Sequence, residues 1–398
     1  MALVNDIDFA VGEGAVRDLL DRSGISPSEV GRLHRVKDVR LYQGLAKVAS
    51  IDEEGNAVEE LQVKDMASVV LHPAWEDGPE WPVIQPGPAV KVSIPKIKPN
   101  TDTWKHGLIL PDMQVGYYHG PDGELVSTHD ERAIDLALQI IKKDNPSLIV
   151  LVGDNLDLPE FGRYRVSQAY SATTQAALNY TTELMWRIRQ AAPNATIKWL
   201  AGNHEERLPN YIMDNAGAAF GLKQGKHPAL PATESKYPVL SVPHLCHLDE
   251  SDVEYLPGYP ANEYWINERL KIIHGKFVKS RGSTSHKYLD TERVSVVYGH
   301  IHRIEDNHRT LDKWGGSSTI RAASPGCLAK CDGAVPSTKG GLDLYGRPLT
   351  VVEDWQQGIA SVLYKDDGDH QFHYNNHPFI DYTVEFRGKI YEQEEPVR

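Results

Sequence analysis

Cysteine is scarce: Cys246, Cys327 and Cys331 are the only three in 398 residues. So few, and an odd number, cannot make a disulfide framework, and a reducing, cytoplasmic setting is expected. Long apolar runs are missing too. No stretch reaches the roughly 18 apolar residues of a membrane helix, so no membrane span is expected. The start, Met1-Ala2-Leu3-Val4-Asn5-Asp6, lacks the basic-then-apolar pattern of a secretory leader. Positive charge is in deficit, with 42 Lys+Arg against 55 Asp+Glu and a formal net charge of −13. Proteins that hold nucleic acid by overall charge are basic. Contact between this chain and nucleic acid therefore has to be local or metal-mediated. Internal repeats and low-complexity tracts are absent.

What remains is ordinary for a globular protein: 40% hydrophobic and 24% charged residues. The length exceeds one minimal domain. Between Trp75 and Asn100 lie Pro79, Pro82, Pro86, Pro88, Pro95 and Pro99. Proline at this density continues neither a helix nor a central strand. The spacing predicts an accessory module over 1–74, a linker over 75–100 and a main domain over 101–398.

In the accessory module, Gly14–Ser23 reads as a helix. A second helix starts at Ser26-Pro27-Ser28-Glu29, with Ser26 and Glu29 placed as a capping box. Arg40–Gln43, Ala46–Ser50 and Leu61–Val63, with a turn at Glu53-Glu54-Gly55-Asn56, read as a small β-hairpin. Arg32, His34, Arg35, Lys37 and Arg40 form the most basic window of the chain. Either it tracks nucleic-acid phosphate or it is the solvated edge of a helix.

From Thr101, short apolar runs alternate with helical periodicity. Gly107–Leu110, Leu148–Val152, Thr196–Leu200, Leu270–Ile273 and Val294–Tyr298 read as strands, and Asp130–Lys143 and Thr173–Ala192 as helices. This is an α/β layout. A long irregular insertion is expected over about 206–269, and a β-rich tail from about 315 through Leu349–Val352, Gly358–Tyr364 and Tyr382–Phe386.

Each strand is followed by oxygen and nitrogen donors. In order they are Pro111-Asp112-Met113-Gln114, Gly153-Asp154-Asn155-Leu156-Asp157, Gly202-Asn203-His204-Glu205, His274-Gly275 and Gly299-His300-Ile301-His302. Singly, a Gly-Asp is a turn and a His-x-His two surface histidines. Five such blocks in order, each at a strand end where α/β proteins place ligands, point to one site. Mixed His, Asp and Asn donors suit borderline metals rather than an all-oxygen Ca²⁺ site.

Over about residues 105–305 this set resembles the calcineurin-like metallophosphoesterase family. That family's blocks are Asp-x-His, Gly-Asp-x-x-Asp, Gly-Asn-His-Glu/Asp, His and Gly-His-x-His. Four of the five match fully. The resemblance implies a four-layer α/β/β/α sandwich, to which the small N-terminal α+β module is added. It also implies two divalent ions, most readily Mn²⁺, with Fe²⁺, Zn²⁺ or Mg²⁺ as alternatives. Asp154 would bridge them. Asp112 and His302, joined by Gln114, would bind the first, and Asn203, His274 and His300 the second. His204 would be no ligand but a charge stabiliser or general acid at the leaving oxygen. Asp157 and Glu205 would support the ligands. Gln114 departs from the pattern, since the family has histidine there and an amide oxygen is a weaker donor to these metals.

Arg163, Arg165 and Arg207 follow Asp157 and Glu205 closely. They are either phosphate clamps or surface ion pairs, and Arg163 and Arg207 are taken as candidate substrate residues. Lys279-Ser280-Arg281-Gly282-Ser283 reads as a solvated basic loop that could also meet a substrate backbone. Cys327 and Cys331 lack a matching second pair and read as free thiols. Ser324-Pro325-Gly326 and Trp355-Gln356-Gln357-Gly358 resemble tail segments of bacteriophage-encoded phosphoesterases. Together these features lead us to expect a metal-dependent phosphoesterase acting on phosphodiesters, with DNA as the preferred substrate. The alternatives are a small-molecule phosphodiesterase or phosphatase, for cyclic nucleotides or nucleotide-derived signals, and, less favoured, a non-catalytic scaffold.

Overall fold

The computed structural model describes residue 24 and residues 34–51, 57–73, 104–163, 166–225, 236–336, 341–343, 347–349 and 353–393. The chain divides into two units, Met1–Ile97 and Lys98–Arg398. In the first, β1 (His34–Ile51) and β2 (Ala57–Pro73) pair antiparallel from Ile51↔Ala57 to His34↔Pro73, with a register shift between Val36 and Asp38. The hairpin is thus far longer than its sequence cues, and the basic window from His34 to Arg40 lies on a strand, not a helix edge. The two expected helices, the turn at 53–56, Arg32 and the whole proline-rich segment over 75–100 lie outside the described residues.

In the second unit the strands run β3 (Lys105–Leu110), β4 (Tyr117–His119), β5 (Leu125–Ser127), β6 (Leu148–Leu151), β7 (Thr196–Leu200), β8 (Val253–Leu256), β9 (Glu263–Asn267), β10 (Leu270–Ile273) and β11 (Ser295–Tyr298). There follow β12 (Ile304–Lys313), β13 (Gly316–Pro325), β14 (Gly358–Tyr364), β15 (Phe372–Pro378), β16 (Thr383–Phe386) and β17 (Lys389–Glu392). The helices are α1 (Glu131–Asp144), α2 (Thr174–Ala191), α3 (Arg207–Asn215), α4 (Val242–Leu245) and α5 (Ser283–Thr291). Among the described residues no helix is long and apolar enough to cross a membrane.

Two sheets carry the unit. One has the order β15-β14-β3-β6-β7-β8, with β3, β6, β7 and β8 parallel; the other has β12-β13-β11-β10-β9, with β13, β11 and β10 parallel. Ile109, Val150 and Leu200 of the first sheet share a core with Ile266, Ile272 and Val297 of the second, so the sheets stack face to face. The outer face of the first sheet packs Leu108, Ile149 and Trp199 against Ile134, Ile141 and Met185 of α1 and α2. The outer face of the second packs Val296 and Tyr298 against Tyr288 and Leu289 of α5. Helix, sheet, sheet and helix make four layers, as expected. A strand covered on both sides needs apolar residues throughout, which is why β6 reads Leu-Ile-Val-Leu with every residue buried. Asp130 caps α1 by accepting from Arg132 N and Ala133 N, an arrangement worth about 1 kcal/mol.

The segment expected as an irregular insertion supplies structure instead. It holds α3 and α4 and gives an edge strand to each sheet, β8 to the first and β9 to the second. Both strands are short, and exposed Glu254 and Glu263 limit the apolar run in each.

Candidate metal centre

The five donor blocks leave the C-terminal ends of β3, β6 and β7 in one sheet and of β10 and β11 in the other. Stacking the two sheets brings these ends together. Several donors sit on left-handed backbone: φ is 50° at Gln114, 49° at Asp154, 70° at His300 and 57° at His302. Non-glycine residues in this region carry strain of about 1–3 kcal/mol each. Tight turns after the strands aim successive side chains into one cavity. A Cβ at Gly202 would overlap Asp154 Oδ1, and one at Gly299 would overlap Asp112 Oδ2. These glycines let the backbone pass directly behind two of the carboxylates.

Two groups of potential ligand atoms result, each with all its atoms within 4.8 Å of one another: Asp154, His274 and His300, and Asp112, Asp154 and His302. Asp154 belongs to both. His274 Nε2 lies 3.2 Å from Asp154 Oδ2 and 3.1 Å from Asn203 Oδ1. His302 Nε2 lies 3.3 Å from Asp112 Oδ1. The Gln114 amide spans Asp154 Oδ2 at 3.4 Å and His302 Nε2 at 3.3 Å. Asp112, Asp154, His274 and His302 are all buried.

A cation fits these donors. Asp112 Oδ2 and Gln114 Oε1 are buried without a hydrogen-bond partner among the described residues, an expensive state unless something accepts their lone pairs. A half-turn of the Gln114 amide points Oε1 at Asp154 and His302, the direction a ligand oxygen would take. His274 Nδ1 is 2.9 Å from Val152 O, so Nδ1 carries the hydrogen and Nε2 faces the cluster, as in metal-ligating histidines.

Charge is balanced inside the cluster. Burial pushes the Asp154 carboxyl up, but His204, His274 and His300 outweigh it and hold Asp154 well below the usual carboxylate range. Burial works against a charged His274, yet Asp154 brings its pKa to about 9. A cation at Nε2 would take the place of that proton. Burial, then the charge on His274, lowers His300 to about 4, which leaves its imidazole neutral with a lone pair to offer.

His204 stands beside the groups rather than in them. Its Nε2 is 3.6 Å from Asp154 Oδ2, and its Nδ1 is 2.7 Å from Asp157 Oδ1. Asp157 thus fixes the ring orientation. Glu205 is buried and accepts four backbone N–H groups, from Asp154, Asn155, Leu156 and Gly202, at 2.7–3.2 Å. It ties the Asp154 loop to the Asn203 loop. Burial and the Asp154 charge raise its pKa.

The candidate substrate arginines part company. Arg207 Nη1 donates to Asp157 O at 2.7 Å and to Asp157 Oδ1 at 2.9 Å, and Nη2 lies 3.0 Å from His204 Nε2. It is a neighbour of His204, with much of its guanidinium already engaged. Arg163 is exposed and shows no contact with the donor groups among the described residues. Arg165 lies outside the described residues. Two neighbours were not read as part of the site, Trp355 having entered the sequence reading only within a tail segment and Tyr259 not at all. Trp355 sets its ring edge-on to His302 at 4.2 Å between centroids, and Tyr259 does the same to His274 at 5.5 Å. Neither stands near a donor block in sequence, and no local signal marks them.

Solved structures similar to the chain include YfcE, a phosphoesterase from E. coli. It is 12% identical, over 68% of this chain and 98% of that one, with a TM-score of 0.25. TT1561 of Thermus thermophilus is 9% identical over 69% of this chain and 99% of that one, with a TM-score of 0.22. Likenesses this loose carry no argument for fold or function. No protein-family model matches the chain, and neither does any curated protein.

Proposed function

We propose that the chain is a dinuclear-metal-dependent phosphoesterase that hydrolyses phosphodiester bonds, with DNA as its substrate. The observation that carries the reading is the sharing of Asp154 by two donor groups, each able to hold an ion. Two divalent ions so held would supply a nucleophile and compensate charge on the phosphoryl oxygens. Asp112, Gln114, Asp154 and His302 would hold the first ion, and Asp154, Asn203, His274 and His300 the second. Mn²⁺ is the proposed metal.

His204 then has the proton work. Asp157 holds Nδ1, and Nε2 faces the cluster while accepting from Arg207 Nη2 at 3.0 Å, so Nε2 would take up a proton in place of that bond before passing it to a leaving oxygen. A positioned acid of this kind contributes roughly 10²–10⁴-fold. Arg207, beside both residues, adds positive charge where the leaving group would develop its negative charge. Glu205 holds the Asp154 and Asn203 loops at fixed spacing.

The choice of DNA rests on the local run Arg35, Lys37 and Arg40, set on β1 of the N-terminal unit. The net charge of −13 favours the rival, a small nucleotide-derived diester. The test is hydrolysis by the Mn²⁺-loaded chain of single-stranded DNA, duplex DNA, RNA, cyclic nucleotides and bis(p-nitrophenyl) phosphate. Cleavage of the polynucleotides is the expected result. Cleavage of cyclic nucleotides alone would overturn the DNA assignment. Inactivity on all of them with Mn²⁺, Zn²⁺, Fe²⁺ and Mg²⁺ would overturn the whole reading.

A further inference from the structure

A cavity of about 380 Å³ opens one residue away from His302, walled by Arg281, Arg303, Glu305, Asp354 and Gln356. Arg303 follows His302 in the chain. Asp354 and Gln356 flank Trp355, whose ring rests on His302, and Gln356 N donates to His302 O at 2.9 Å.

Arg303 is incompletely partnered. Its side chain is 15% exposed, so its charge is largely withdrawn from water. Nη2 donates to Lys279 O at 2.7 Å, while Nε is buried without a hydrogen-bond partner among the described residues. The carboxylate beside it, Glu305 at 3.8 Å, is already engaged. Its oxygens accept from Gly282 N at 3.1 Å, Ser285 N at 2.8 Å and Tyr298 OH at 2.9 Å. Glu305 therefore caps the start of α5 and meets the guanidinium only as an ion pair at 3.8 Å, beyond hydrogen-bond distance. A desolvated cation with an unmet donor is unfavourable until an acceptor completes it. Arg281 stands at the rim, 80% exposed, and Nε donates at 2.6 Å to Asp354, itself 44% exposed. Such surface pairs contribute little and yield readily to a better acceptor.

We propose that this cavity is a phosphate subsite, in which a tetrahedral phosphoryl group displaces Asp354 from Arg281 and accepts from both guanidinium groups. Forked donors on two sides suit a phosphoryl group better than a point charge would. Glu305 has its oxygens engaged by Gly282 N, Ser285 N and Tyr298 OH, and Asp354 occupies the position the ligand would take. The phosphate comes either from solution as free inorganic phosphate or from the substrate as a second, non-reacting phosphate. Only the substrate source rests on the phosphoesterase reading; anion binding itself does not.

The Arg303 Nε–H resonance of the ¹⁵N-labelled full chain is the reporter, followed during titration with inorganic phosphate, both zinc-loaded and chelated. We expect a saturable shift in both states. It should weaken about tenfold in Arg281→Gln, and Asp354→Asn should bind about three- to five-fold tighter because a competing carboxylate is gone. No saturable shift, or weaker binding in Asp354→Asn, overturns the proposal: water alone then meets Arg303, or the cavity prefers a cation. A second arm separates the sources through the p-nitrophenyl ester of thymidine 5′-phosphate, with and without a 3′-phosphate. If Arg303→Gln raises KM about tenfold more for the 3′-phosphorylated ester, the substrate supplies the anion. If it raises both equally while the titration still saturates, free phosphate does.

Discussion

The donor group around His274 and the one around His302 share Asp154, yet they are anchored differently. His274 is pinned at both ring nitrogens: Nδ1 faces Val152 O at 2.9 Å, and Nε2 faces Asn203 Oδ1 at 3.1 Å. His302 is held at one ring nitrogen, with Nε2 3.3 Å from Asp112 Oδ1 and 3.3 Å from Gln114 Nε2, while Nδ1 is buried without a partner among the described residues and Trp355 packs edge-on against the ring. The fourth donor differs as well, with the Asn203 carbonyl oxygen already facing its cluster and the Gln114 oxygen turned away. Hydrogen bonds specify direction, whereas an edge-on ring contact leaves more freedom. The His274 side is therefore the preorganised one, and the His302 side the place where a metal would be held more loosely and exchange sooner. The mutations below separate the two sides.

Asp154→Asn should have the largest effect, because it weakens both groups at once. Supporting residues around a metal cost roughly 10–100-fold when replaced, and loss of a shared ligand should exceed that. Metal content, read by mass spectrometry after gel filtration, should fall at both sites together with turnover on bis(p-nitrophenyl) phosphate. A variant that keeps two ions and near-wild-type turnover would end the shared-carboxylate account.

His204→Ala should lower turnover roughly 10²–10⁴-fold while both ions stay bound, since His204 lies beside the groups. Asp157→Asn should follow it with a smaller loss, because the ring stays but its orientation is less fixed. The defect should shrink when nitrophenolate is the leaving group, as it needs little protonation. Loss of metal in His204→Ala would move this residue into a donor group.

Acid should act through a neighbour of the Gln114 loop. Thr128 Oγ1 donates to Gln114 O at 2.9 Å, and buried His129 Nδ1 lies 3.2 Å from Gly116 O. Burial lowers His129 to about 4 from an ordinary value of 6.5. A folded-state pKa below the unfolded one means the unfolded chain binds the proton first. The contribution is therefore full above pH 6.5 and is lost as pH falls toward 4. Between pH 7 and pH 5 this should remove about 2 kcal/mol of stability. Urea unfolding of wild type and His129→Gln at both pH values measures it, and parallel acid losses in the two proteins would exclude His129 as the cause.

Much of this arrangement is legible in the sequence, for a physical reason. Central strands covered on both faces are mostly apolar, which exposes β6 outright and β3, β7, β10 and β11 as short apolar runs broken by single polar residues such as Lys198 and Lys271, and a donor directly after each marks one end of the sheets. The allocation of those strands to two sheets is not legible in a single run, because it depends on which faces meet. Edge strands such as β8 and β9 are half-solvated and look irregular. Trp355 and Tyr259 reach the cluster through ring contacts made only by the fold. Arg207 was readable as a nearby cation, but its bonds to Asp157 and His204 follow from the start of α3.

The smallest effect, and the sharpest for the comparison, belongs to Gln114→His. An imidazole at this position gives the looser side a nitrogen donor in place of an amide oxygen, and Zn²⁺ gains more from nitrogen than Mn²⁺ does. The left-handed backbone at Gln114, φ 50°, is retained because Gln114 N donates to Asp154 O at 2.9 Å. His300 and His302 adopt the same region in this site, so histidine tolerates it here. Affinity at the first ion should rise severalfold for Zn²⁺ and less for Mn²⁺, with the second ion little changed. Turnover need not follow, since an ion held more tightly can also hold product more tightly. Calorimetric titration of wild type and variant with each metal reads the two steps separately. If the first step is unmoved for both metals, residue 114 does not reach the ion, and the His302 side is held by Asp112, Asp154 and His302 alone. If the second step moves as much as the first, the two sides are coupled through Asp154 more strongly than their separate anchoring implies, and the asymmetry drawn from His274 and His302 fails.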